Sequence, residues 1–101
     1  MSVQFIKISG IQYELKYKST EEMSGHIGLA DFNNQIISIN REHTSQTQHI
    51  ALWHEILHIL SDSYNLKLDE ETVKFTTHAL IALLSDNPEL AKELIRCPTV
   101  L

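Results

Sequence analysis

The sequence predicts an α+β fold: a small N-terminal antiparallel or mixed sheet, an H-E-x-x-H helix, a second long helix and a short C-terminal helix. Two observations predict it. Apolar residues alternate with period two before about residue 41 and recur three and four apart after it. Turn-forming residues then punctuate the chain where one pattern stops and the next begins.

The elements follow in order. Val3 to Ile8 holds Val3, Phe5, Ile6 and Ile8, which reads as a first strand. Ser9-Gly10 is either a hairpin turn or the break in one bent strand. Ile11, Tyr13, Leu15 and Tyr17 alternate with Gln12, Glu14 and Lys16, a strand with one buried face. Lys18 to Gly25 reads as a loop or one helical turn. Ile27–Phe32 and Gln35–Ile39 flank Asn33-Asn34 and predict a hairpin.

Ser45 with Gln48 three residues on predicts a capping-box start to the first helix. Ile50, Trp53, Leu57 and Leu60 form its stripe, widened by Ile56 and Ile59, with Trp53 expected in the core. The helix should stop between Ser61 and Asn65. Asp69 caps the second helix, with Leu68 and Val73 placed as a hydrophobic staple. Glu70 and Glu71 occupy its first turn, where carboxylates oppose the positive end of the helix dipole. Asp86-Asn87-Pro88 ends it, and Pro88 opens the last helix, Pro88 to Ile95.

Composition bounds the function. The chain of 101 residues fits one domain, and 43% hydrophobic with 21% charged residues suits a globular protein. A net charge of −5 argues against direct nucleic-acid binding, which needs a basic face. The lone Cys97 excludes an internal disulfide and fits a reducing, cytoplasmic setting; it reads as a packing residue. No apolar stretch reaches membrane-spanning length, and the N-terminus lacks the pattern of a signal peptide.

His54-Glu55-Ile56-Leu57-His58 carries the chemistry. Two histidines four apart on a helix share one face and can converge on one cation. Imidazole nitrogens suit Zn²⁺, the expected cofactor. Glu55 projects to the same side, placed as general base for a metal-activated water and then as acid for the leaving group. With 6 His and nine Glu in the chain, chance would produce this pattern about 0.03 times. A catalytic zinc needs a third protein ligand. Glu70 shares the stripe of Val73, Thr77 and Leu80 and is favoured; Glu71 is next, and His78 third. Tyr64, His78 and His26 are candidates for oxyanion stabilisation. His43 and His49 have no evident partner.

These residues carry a resemblance. His54 to His58, then Leu68 to Val73, then Leu80 and Leu84-Ser85-Asp86-Asn87-Pro88-Glu89-Leu90, resemble small zincin-like proteins of bacteria and phages, minimal relatives of the ImmA/IrrE metallopeptidases. Gly28 to Phe32 and Gln35 to Ile39 also resemble the strands before that group's metal helix. The resemblance covers roughly residues 25 to 90. It implies His54 and His58 as zinc ligands, Glu55 as the catalytic glutamate and Glu70 as a gluzincin-like third ligand. Where the family usually has Ala-Asn after that acid, this chain has Val73-Lys74, which keeps Glu71 in play.

The function expected is therefore a zinc metallopeptidase acting on a protein or peptide. Kinship implies a transcriptional repressor as substrate and a phage or mobile-element origin. Gln35–Ile39 is the candidate edge strand for receiving substrate backbone. Two alternatives stand beside it. One is a non-catalytic metal-binding interaction module; the other is a regulator that binds a DNA-binding repressor through charge complementarity.

Overall fold

The computed structural model describes residues 5–96. Val3 and Cys97 therefore lie outside the described residues. Four strands precede three helices: β1 Phe5–Ile8, β2 Ile11–Lys18, β3 Gly28–Asp31, β4 Ile36–Asn40, α1 Ser45–Ser63, α2 Glu70–Asp86 and α3 Pro88–Arg96. This is the α+β layout expected from the periodicity.

Ser9 and Gly10 both have positive φ, 51° and 83°. That conformation matches the twist of a two-residue hairpin, and glycine adopts it without steric cost. The result is a tight β1–β2 hairpin with Ile8 opposite Ile11. Asn33-Asn34 lies in the turn of the second hairpin, β3–β4, with Ala30 opposite Ile37.

The sheet is mixed, in the order β1-β2-β4-β3, because β2 and β4 run parallel. Gln35–Ile39 is thus not the edge. Ile36 to Asn40 pairs on both sides, between β2 and β3, as its β-branched run suits. The edge on that side is β3.

One face of the sheet carries Ile8, Tyr13, Leu15, Ile37 and Ile39, all buried. They pack against Ala51, Ile56 and Ile59 of α1. Ile11 and Tyr17, at the two ends of the alternating run, stay partly in solvent.

Helix α1 carries a broad apolar stripe and, beside it, the polar side of His54, Glu55 and His58. Its Ile56–Ile59 side meets the sheet, while Leu57 turns toward α2. Trp53 is a correction: it is 42% exposed, beside the His49 ring, not in the core. It stands between the two packing faces of α1, one for the sheet and one for α2.

One cap differs from the expected one, and one is as expected. Thr44, not Ser45, caps α1 and accepts from Thr47 N–H. Gln48 reaches back to the carbonyls of Arg41 and His43 instead. A reciprocal capping box does occur, at Ser19 and Glu22, ordering the turn after β2. Asp69 caps α2 by accepting from Thr72 N–H, and Val73 is fully buried.

Candidate metal centre

Two elements bring the site together. His54, Glu55 and His58 sit in the middle of α1, and Glu70 is the first residue of α2. The turn between the helices is set by Ser61. Its buried hydroxyl accepts from Leu68 N–H at 2.9 Å, and its carbonyl accepts from Leu66 N–H at 2.8 Å. Asp69 then starts α2 so that Glu70 faces α1.

His54 Nε2 lies 2.7 Å from Oε1 of Glu70, and His58 Nε2 lies 2.8 Å from Oε2. The two Nε2 atoms are 3.1 Å apart. No placement of protons satisfies all three contacts. Each Nε2 carries at most one hydrogen, and a carboxylate accepting from both leaves nothing for the histidine pair. A cation between the three groups satisfies them together. Donor atoms ~2.0–2.1 Å from one ion at tetrahedral angles stand about 3.3–3.4 Å apart, somewhat wider than the 3.1 Å between the imidazoles and wider again than the 2.7 and 2.8 Å to the carboxylate. The chemistry and placement of His54, His58 and Glu70 therefore suit a metal ion. Glu71 and His78 are not in this group.

Glu55 is held differently. Its Oε2 and Cγ lie against Gly28, where a side chain would crowd them. Burial raises its pKa; the nearby His54, His58 and His26 oppose that shift, and Glu70 adds to it. For Glu70, burial pushes upward, but the His54 hydrogen bond and the His54 and His58 charges outweigh it, so its pKa is lowered.

Cavities open on both sides of the triad. One, of about 330 Å³, is lined by Gly28, Ala51, His54, Glu55, Glu70 and Lys74. The other, of about 260 Å³, is lined by Phe32, His58, Asp62 and Lys67 among others. The short edge strand β3 runs from the first cavity, at Gly28, toward the second, at Phe32. A larger groove, about 610 Å³, is apolar, holds Trp53 and Leu80, and includes none of the triad.

Of the oxyanion candidates, His78 lines the first cavity, His26 is close enough to act on Glu55, and Tyr64 is 64% exposed at the end of α1. The His43 carbonyl accepts from Gln48, and the His49 ring meets Trp53.

Sequence reasoning missed Gly28 and Asn40. Asn40 is fully buried, and its amide donates to Thr20 Oγ1 and to the His26 carbonyl. It also accepts from Glu42 N–H, tying the loop before β3 to the approach to α1. A lone asparagine ending a strand gives no sequence signal for this. The Gly28 signal was present, since a glycine in a strand marks a close approach.

Comparison of the chain with protein-family models, with curated proteins and with solved structures finds no match. Among the described residues, no helix is long and apolar enough to cross a membrane.

Proposed function

We propose that this chain is a zinc-dependent peptidase, with His54, His58 and Glu70 as metal ligands and Glu55 as the catalytic acid–base. The single observation that carries the reading is the three-way contact of the two imidazoles with Glu70, which protons alone cannot satisfy. Two imidazoles and one carboxylate suit zinc and leave a fourth position for chemistry. The ion, when bound, supplies Lewis-acid polarisation and lowers the pKa of water.

The remaining work falls to the chain. Glu55, with its pKa raised by burial, takes a proton at its carboxylate and delivers it to the departing amine. Gly28 keeps that carboxylate close to the strand. The free edge of β3 offers backbone groups to an extended substrate segment, which orients it along the two cavities. The motif resemblance to ImmA/IrrE metallopeptidases supports a repressor-type protein as substrate, in a cytoplasmic and phage-related setting.

The test is metal content by elemental mass spectrometry for wild type and His54→Ala, followed by turnover with wild type and Glu55→Gln. The expected result is about one zinc per chain, lost in His54→Ala. Glu55→Gln should keep the metal and lose turnover. Absence of metal after zinc loading overturns the reading. Metal binding without hydrolysis of any protein or peptide leaves the non-catalytic module.

A further inference from the structure

The cavity beside Glu70 has an ionic character that the metal ligands do not explain. Glu70, Lys74 and His78 follow one another at four-residue spacing on α2 and all line it. Such residues share one helix stripe, each about 6 Å further along the axis. Lys74 thus stands one turn from the carboxylate of the triad.

Its ammonium forms no ion pair with Glu70 or Glu71, four and three residues back on the same helix. Lys16, Arg41, Lys92 and Arg96 each face a carboxylate. Among the described residues Lys74 forms no such pair; its nearest aromatic neighbour is the exposed Phe75 ring, 5.9 Å away. Of the cavity's two carboxylates, Glu70 is engaged by both imidazoles, and Glu55 lies on the Gly28 side. On a chain of net charge −5, Lys74 is, among the described residues, the one Lys or Arg side chain lining this cavity, and its ammonium is the side-chain group there that attracts an anion. Ile27, Ile50 and Ala51 line the same cavity and suit the methylene stem of an acidic side chain.

We propose that Lys74 binds a carboxylate of the substrate, so that this site selects an acidic group next to the bond it cleaves. The inference rests on the peptidase reading and names its substrate class. The carboxylate is either an Asp or Glu side chain or the free C-terminus of a peptide. His78, one turn further on, and Thr47 on α1 add polar groups to the same wall.

The test is calorimetric binding to zinc-loaded Glu55→Gln, so that it does not depend on turnover. The probes are short peptides with a zinc-binding hydroxamate at either end, in pairs that differ only in Glu against Gln, or in a free against an amidated C-terminus. The expected result is about three- to tenfold tighter binding of one carboxylate member, with the preference shrinking at high salt. Lys74→Met in the same background should erase the preference, and Lys74→Arg should keep it. Binding without discrimination, or a preference that survives Lys74→Met, overturns the inference and leaves the peptidase reading intact. Failure of every hydroxamate to bind, with zinc present, overturns both.

Discussion

A Cβ built on Gly28 would stand 3.1 Å from Oε2 of Glu55, 3.2 Å from its Cγ and 3.4 Å from Cβ of Ala51. The edge strand β3 and helix α1 therefore meet with Glu55 clasped between them. Gly28→Ala must displace that carboxylate by a few tenths of an ångström, since Ala51 closes the other side. With Glu55 as the acid–base proposed above, misplacement on this scale costs up to about tenfold in rate. Turnover should fall by that much while metal content stays at the wild-type level. Parallel turnover and elemental analysis check it; equal loss of both would show that Gly28 serves the ligands and not Glu55.

Ser61 links the two halves of the site. Its hydroxyl satisfies Leu68 N–H just before the Asp69 cap, and the residue is only 6% exposed. Ser61→Ala leaves that amide without its partner, at a cost of about 1–2 kcal/mol. The start of α2, which carries Glu70, then loses its anchor to α1. Denaturant unfolding should report the lost stability, and zinc affinity should fall with it. Unchanged zinc affinity in a destabilised variant would show that Glu70 is placed by the helix packing alone.

How much of this was legible in sequence depends on range. The Ser9-Gly10 and Asn33-Asn34 turns and the Asp69 cap are local, and local chemistry shows in adjacent residues. The mid-helix placement of His54, Glu55 and His58 is local as well. Strand order is not: β4 pairs in parallel with β2 although β3 lies between them in sequence, so nothing beside Gln35–Ile39 marks it as interior. The burial of Asn40 and the exposure of Trp53 are likewise set by distant partners. The α1 pattern was ambiguous for a physical reason, since one broad apolar stripe serves both the sheet and α2 and does not declare which part meets which.

Thr77 is 1% exposed, and its hydroxyl has no hydrogen-bond partner. It packs below the apolar groove between α1 and α2. A buried hydroxyl without a partner is a net cost, and valine keeps the shape. Thr77→Val should raise stability by up to about 2 kcal/mol, seen as a higher denaturant midpoint at unchanged slope. A loss of stability would reveal a partner for the hydroxyl in solution.

Asp31 closes the β3–β4 hairpin, whose free edge lines the site. Its Oδ1 accepts from the N–H groups of Asn33 and Asn34, and its Oδ2 from the Asn34 side-chain amide. These bonds, the Asn34 side chain first, hold its pKa below the ordinary aspartate value. A lowered folded pKa means that the ionised form is favoured by folding. The stabilisation is present above the unfolded pKa and is lost as pH falls through the folded one. The melting temperature of wild type should exceed that of Asp31→Ala at neutral pH by a constant margin. That margin should shrink below the ordinary aspartate range as the carboxylate takes up its proton. A margin independent of pH down to acid unfolding would show that the turn is held by backbone geometry and not by the charge on Asp31.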